Sequence, residues 1–321
     1  MNTAANPCTA ALAAWATSSP TPQRPWAVAF SGGADSTALL LAAHTAWPGA
    51  VVALHVHHGL QAAADGFEDH VRGQCQRWGM ACHVQHIHAQ HAPGQSPEAA
   101  AREGRYRALA EMAQSVGATQ VLLGHHADDQ VETLMLALSR GAGLPGLSAM
   151  PLNFERHGVQ FARPILSVDP QTLRDWLTAQ GVAVVQDPTN DETHFTRNRI
   201  RHGLLQAWRR DFPAYASTLA RSAEHAAQAQ TLLDELAQID LQVVGWPPSI
   251  AGLQTLSEAR QSNALRHWLR TEHGVAPSQA QLEALQLQIG ACTTRGHRIE
   301  LKVGPGMVRR HRQHLQYTAP L

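Results

Sequence analysis

The stretch "AVAFSGGADSTAL", residues 27–39, decides the fold. A short apolar segment, Ala27 to Phe30, follows Pro25 and ends at two adjacent glycines, and the apolar run 37–44 is long enough to be helical. A strand, a glycine turn and a helix N-terminus together make an anion site. Gly32 and Gly33 let backbone N–H groups approach closely, and the unsatisfied donors and dipole of the helix favour negative charge. A phosphate fits that description, but not through either familiar phosphate loop. A P-loop needs Gly-Lys-Ser/Thr, and Lys302 is the sole lysine in the chain. The dinucleotide fingerprint G-x-G-x-x-G is absent here as well. What remains is S-G-G-x-D-S: Ser31, Gly32, Gly33, Ala34, Asp35 and Ser36, with Ser31, Ser36 and Thr37 as hydroxyl donors. Asp35 would repel phosphate unless a Mg²⁺ lay between them. The bland alternative is a glycine turn with Asp35 and Ser36 capping a helix. The complete hexapeptide in this setting favours nucleotide binding.

The chain has 321 residues, of which 44% are apolar, so two domains and a sizeable core are expected. No segment approaches the apolar length of a membrane span. No basic residue precedes Arg24, so residues 1–20 read as a short lead-in and not as a secretory signal. Four cysteines (Cys8, Cys75, Cys82, Cys292) form no C-x-x-C pair, which argues against a zinc ribbon or disulfide framework and suits a reducing cytoplasm. Formal net charge is zero, but residues 291–321 hold six basic residues (Arg295, Arg298, Lys302, Arg309, Arg310, Arg312) against one acid, Glu300, a local balance of +5.

Strands alternate with helices through the first half. Residues 51–56, 120–123 and 182–185 read as β-like runs, and 97–116, 130–139 and 170–180 as helices. Ser96-Pro97 and Asp169-Pro170 mark two starts; Gly117, Gly141 and Gly181 stand just past three ends. This alternation predicts a doubly wound parallel α/β sheet with ligands at the carboxyl ends of its strands. Near 211–215 the character changes. Residues 217–241 carry no strand signal, Trp246-Pro247-Pro248 breaks the run, and helices are expected over 256–271 and 279–289. The end alternates like short strands around Gly304-Pro305-Gly306. The boundary is placed near Phe212: a nucleotide-binding domain over 1–212 and a smaller, mainly helical domain over 213–321.

A second polar cluster, "LLGHHADDQVETLMLALSRGAG" at 122–143, again runs strand, glycine, polar residues, helix, and should reach the same rim as 31–36. Asp129, Glu132 and Thr133 share one helix face, with His125 and His126 at the turn before them. Helix capping by Asp128 and Asp129 and a His/His/Asp metal site are the alternatives; zinc would want more ligands at closed spacing. Beside a nucleotide loop, two carboxylates on one face could instead receive a cation.

Residues 31–36 resemble the signature loop of the PP-loop ATP pyrophosphatases, and 125–133 resemble the H-H-x-x-D-x-x-E-T element of one branch, the tRNA(Ile)-lysidine synthetases. Three further stretches support that branch: "LHVHHGL" (54–60), "SPEAAAREGRYRAL" (96–109), with Arg102, Arg105 and Tyr106, and "DPTNDETHFTRNRIRHGLL" (187–205), with Arg197, Arg199 and Arg201. Taken singly these are loop histidines, a solvated helix face and surface charge. D-P-[ST]-N followed by R-N-x-I-R is the most discriminating. Gln206 stands where the family pattern has proline. The match covers 27–205 in order; the closing "GMVRRHRQHLQY" resembles the family's first C-terminal domain more loosely.

The resemblance implies ATP-dependent attachment of free lysine to C2 of the wobble cytidine in the isoleucine tRNA with a CAU anticodon. ATP would adenylate the C2 oxygen and release pyrophosphate; the lysine ε-amine would then displace AMP, changing codon reading from AUG to AUA. On this reading the loop 31–36, with Mg²⁺ through Asp35, stabilises the departing pyrophosphate. Arg105 and Arg197 hold the α-phosphate or activated base, and Asp129 and Glu132 bind and orient the lysine. His125 and Arg201 join the substrate site, and Arg309, Arg310 and Arg312 grip tRNA phosphates. The implied protein is cytoplasmic, a monomer or homodimer, with no membrane partner. Rivals are a PP-loop tRNA thiolase, which would need cysteines to carry sulfur or an iron–sulfur cluster and is disfavoured by the lack of a C-x-x-C pair, an amide synthetase acting without RNA, and a regulator that only binds ATP.

Overall fold

Six strands form one sheet in the order β3-β2-β1-β4-β6-β5 in the structure, a computed structural model. It describes residues 5–18, 25–57, 64–87, 97–186, 192, 195–294 and 296–319. Ser96, the turn His58-Gly59-Leu60, the D-P-T-N turn at 187–190, Arg295, and residues 1–4 and 19–20 of the lead-in lie outside the described residues. The strands are β1 (Trp26–Ala29), β2 (Val51–His57), β3 (Ala81–His86), β4 (Gln120–Leu122), β5 (Asn153–Arg156) and β6 (Val159–Ala162). All pair in parallel except β5, which closes the edge antiparallel to β6.

The helices of the first half are α1 (Cys8–Ser18), α2 (Ala34–Ala46), α3 (Ala64–Trp78), α4 (Pro97–Ser115), α5 (Ala127–Ser139), the short α6 (Leu144–Leu147) and α7 (Pro170–Ala179). Gly117, Gly141 and Gly181, past three of these ends, have φ of +73°, +63° and +65°, where a side chain would be strained. One apolar core packs α1, α2, α3 and α7 through Leu12, Leu39, Leu40, Val71 and Leu173. A second packs α4 through Tyr106, Leu109 and Ala113, with Phe161 of the sheet. From β1 the sheet builds outward through β2 and β3, while β4, with β6 and then β5 beyond it, lies on the other side of β1. The gap between β1 and β4 is therefore the switch point of the sheet, where loops at the carboxyl ends part and leave a crevice.

Residues 182–185 do not form a strand. The Val185 N–H donates to the Gly32 carbonyl (2.9 Å) and the Ala183 carbonyl accepts from Gln74 (2.9 Å). With no strand beside it, this apolar segment packs over the glycine loop instead.

The chain divides into two compact units, 1–224 and 225–321, rather than at Phe212. After α8 (Thr196–Arg199), one π-helical turn (Ile200–Leu204) and α9 (Leu205–Asp211), the division falls inside the long helix α10 (Tyr215–Val244). Its start belongs to the first unit because Tyr215, Ala216 and Leu219 pack with Val131, Ile200 and Leu205. Gln206 stands within α9, so the path there is helical. The second unit has α11 (Ile250–Thr255), α12 (Glu258–His273), α13 (Gln279–Ala291) and a three-stranded antiparallel sheet, β7 (Glu300–Val303), β8 (Gly306–His311) and β9 (His314–Thr318). Its core joins Leu265, Trp268 and Leu285 of the helices to Val303, Val308 and Leu315 of the sheet.

Candidate functional site

The glycine loop is tied into its shape by its own hydroxyls. Ser36 Oγ donates to the Gly33 carbonyl (3.1 Å) and accepts from the Ser31 N–H (3.2 Å); Thr37 Oγ1 also donates to the Gly33 carbonyl (2.8 Å). Ser31 Oγ lies 3.0 Å from Ser36 Oγ and accepts from the Gly33 N–H at 3.3 Å. Gly32 has φ +84°, and a Cβ there would meet Val185, His70 and Val71 at 3.2–3.3 Å. Both conformation and space therefore demand glycine.

The second loop, 123–126, follows the neighbouring strand β4 and crosses the switch point to touch the first. Gly124 permits the contact: a Cβ there would lie 3.0 Å from the Ser36 N and 3.1 Å from the Asp35 carbonyl carbon. His126 then bridges the two loops, its Nε2 3.6 Å from Asp35 Oδ2 and 3.4 Å from Asp129 Oδ2. Burial pushes the Asp35 carboxyl above the usual carboxylate range, against the pull of His126, and its Oδ1 is buried with no hydrogen-bond partner among the described residues. A divalent cation would complete that oxygen, so the residue present fits the Mg²⁺ expected from the sequence.

Asp129 is held in the opposite state. Burial works to raise its carboxyl, but His126, His125 and Arg197 together outweigh burial and keep it below its ordinary range. Its Oδ2 accepts from the His126 N–H (3.0 Å) and its Oδ1 from Arg197 (3.1 Å). Glu132, fully buried at 0% exposure, accepts from Arg197 Nε at 2.7 Å and from Arg201 Nε and Nη2 at 2.6 and 3.0 Å. The π-helical turn seats Ile200 among Val131, Leu205 and Tyr215. Arg197 before it and Arg201 within it both meet α5. Asp128, on another face of α5, is buried against the Tyr215 hydroxyl and Arg209, which fixes α5 to α9 and the start of α10.

Close to these groups, Arg105 and Arg163 have no carboxylate partner among the described residues. Burial lowers the Arg105 pKa; its guanidinium lies 5.8 Å from the Tyr106 ring centre, with the charges of Arg102 and Arg197 close enough to disfavour it further. Arg163, at the end of β6, is buried, donates to the Pro151 carbonyl (2.6 Å), lies 4.2 Å over the Phe154 ring and leaves its Nε unbonded. Beside these cations His125 is driven neutral: burial, chiefly, lowers its pKa to about 3, and its Nδ1 has no partner. The site therefore holds uncompensated positive charge at one end and a carboxylate missing a cation at the other, which suits a polyanion bridged by a metal ion.

Of the residues singled out in the sequence, Ser31, Gly32, Gly33, Ala34, Asp35, Ser36, Arg105, His125, Asp129, Glu132, Arg197 and Arg201 fall in this first unit, joined by the contacts above. His126, Gly124 and Arg163 were not singled out as site residues. Arg163 could have been found as a cation closing the buried run "VQFAR", a costly position without a ligand. In the second unit, a concavity is lined by Arg298, Arg309, Arg310 and Arg312 with Glu300. Arg310 is internal to the fold there, donating to the Thr294, His297 and Arg312 carbonyls, each at 2.8 Å. Arg309 pairs with Glu300 at 2.8 Å. Arg298 and Arg312 have no such partner among the described residues.

Comparison with known proteins accords with both units. A PP-loop domain matches residues 8–208, and the TilS substrate binding domain matches residues 249–316. A tRNA(Ile)-lysidine synthase of Polaromonas naphthalenivorans is 58% identical over 89% of this chain and 87% of its own. Others are 44% identical over 82% of this chain in Ralstonia nicotianae and 41% over 87% in Bordetella pertussis. The match spans 58% of the Ralstonia protein and 90% of the Bordetella one. Among solved structures, the U34-tRNA thiolase NcsA of Methanococcus maripaludis shares the fold, with a TM-score of 0.53 over 62% of this chain and 70% of that one at 15% identity.

Proposed function

This chain belongs to the tRNA(Ile)-lysidine synthase family, ATP-dependent ligases of the PP-loop fold that form lysidine on tRNA(Ile), and from that premise we propose how its residues divide the reaction. The observation that carries the reading is the pairing of Asp35, with its orphaned buried oxygen, and the cations Arg105 and Arg163, which have no carboxylate partner among the described residues, around one crevice. ATP lies across that crevice. The loop N–H groups and the Ser31 hydroxyl take the pyrophosphate end, where negative charge grows as it departs. Asp35 would hold Mg²⁺, which would supply charge neutralisation on the phosphates when bound. Arg105 and Arg163 face the α-phosphate and the cytidine C2 oxygen that attacks it. Neutral His125 offers a hydrogen bond without adding charge to either.

Lysine then enters beside Asp129, whose ionised oxygens keep lone pairs for an ammonium after bonding to Arg197 and His126. Glu132 acts one step back, fixing Arg197 and Arg201, rather than as an amine ligand. The cytidine must leave its stack to reach this crevice, as bases in single-stranded loops do. The second unit contacts tRNA phosphates through Arg298 and Arg312, and a reaction on tRNA with free lysine suits the cytoplasm. Among the described residues no helix is long and apolar enough to cross a membrane.

The test supplies ATP, labelled lysine and bulk bacterial tRNA. Label should enter RNA, with AMP formed only when tRNA is present, and Asp35→Asn should abolish both while the protein stays folded. AMP formation with a small carboxylate and no RNA would instead mark an amide synthetase.

A further inference from the structure

Away from the crevice, the described residues contain one group of three His, Cys, Asp or Glu side chains arranged to hold a metal ion: His57, Glu68 and His86, with one ligand atom from each all within 4.8 Å of one another. The fold brings them together in a specific way. His57 and His86 are register partners at the carboxyl ends of the parallel strands β2 and β3, so their side chains leave the same face. Their rings stack with centres 4.2 Å apart. Helix α3 crosses that face and presents Glu68, whose Oε2 lies 2.9 Å from His86 Nε2 while its Oε1 accepts from Arg72 at 2.8 Å.

We propose that His57, Glu68 and His86 form a site for a transition-metal ion of the zinc class. Two imidazoles and one carboxylate are an N₂O donor set, which suits zinc, cobalt or nickel and not magnesium, whose preferred ligands are oxygens. Ligands about 2.0–2.1 Å from a tetrahedral zinc lie roughly 3.4 Å apart, so small side-chain rotations close the present group onto an ion. Arg72 keeps the outer oxygen of Glu68 and orients the carboxylate, the usual place of a partner one shell out. Three protein ligands leave a fourth position open. An ion here would clip α3 to the ends of β2 and β3, on the same side of the sheet as the glycine loop but without drawing on Asp35 or Asp129.

The experiment uses the full chain, stripped with a chelator and titrated with Co²⁺ and then Zn²⁺, in the absence of ATP and tRNA. The expected result is one equivalent of cobalt giving a visible ligand-field absorption that zinc displaces. With 20 histidines in the chain, the site is identified by what removes that equivalent and not by total uptake. Glu68→Gln and His86→Ala should each weaken it by roughly tenfold or more, with unchanged circular dichroism. His86 is more than half exposed, so its variant folds and decides the matter alone if Glu68→Gln does not. A wild-type chain with no such absorption, or His86→Ala with the same absorption and affinity, overturns the site.

Discussion

Replacing Glu132 by glutamine separates two roles that one carboxylate on α5 could play. In the structure it accepts three charge-assisted hydrogen bonds, one from Arg197 and two from Arg201. At about 1.5–3 kcal/mol each the ceiling is large, but it is not reached. A glutamine oxygen retains one bond, Asp129 still holds Arg197, and the two arginine side chains are 35% and 32% exposed, so water screens part of the loss. The expected destabilisation is about 2–4 kcal/mol, at or below the range for breaking a buried pair. Urea unfolding measures it, and a double-mutant cycle with Arg201→Gln should show coupling of roughly 1 kcal/mol or more. Function should fall with the arginines' positions: a displacement near 1 Å costs on the order of 100-fold. That loss should appear in tRNA-dependent pyrophosphate release, before lysine is needed. The opposite result refutes the reasoning: stability within about 0.5 kcal/mol of wild type, intact pyrophosphate release and a selectively raised KM for lysine. Glu132 would then bind the amine.

Gly124→Ala places a Cβ 3.0–3.1 Å from the backbone of Asp35 and Ser36, which cannot yield as a side-chain tip would. It should cost about 1–3 kcal/mol and weaken ATP binding, and unchanged values in thermal unfolding and equilibrium binding would show the loops do not need this approach. His125 is neutral when folded, with a pKa near 3 against 6.5 unfolded, so its contribution is fully present above pH 6.5 and is lost as pH falls towards 3. His125→Asn should flatten the stability curve over that window by up to about 1.36 kcal/mol per pH unit relative to wild type, and parallel curves would count against it. The raised Asp35 carboxyl works in the opposite sense and cancels in this comparison. In the second unit, Arg298→Ala with Arg312→Ala should flatten the slope of log tRNA affinity against log salt by about 1.4–1.8 units if both meet phosphates. Arg310→Ala should instead lower that unit's stability, and an unchanged salt slope in the double variant would leave both residues as surface charge.

The parts of this protein legible in its sequence are those whose causes are local. The glycine loop is written in six consecutive residues because a turn, its hydroxyl ties and a helix start all lie within hydrogen-bonding reach along the chain. The three glycines past helix ends announce positive φ in the same way. Residues 182–185 mislead because an apolar run reads as a strand whether or not a neighbouring strand exists. The edge β5, with its alternating exposed and half-buried residues, carries too weak an apolar pattern to stand out from a loop.

The expectation that Glu132 binds lysine has an instructive origin. A helix face bearing Asp129 and Glu132 looks vacant in sequence because its partners are 65 and 69 residues further on. The chain does contain the means to pair them. Asp129 and Glu132 stand three apart and Arg197 and Arg201 four apart, so each pair presents one helix-like face, and the faces are opposite in charge. Two motifs that seem to be separate ligand sites are then two halves of one ion-pair network, each neutralising the other. What such a network leaves over is more informative for chemistry than what it contains. Here the remainder is Asp35 on one side and Arg105 and Arg163 on the other, and these are the groups that a metal-bound triphosphate and an attacking base would complete.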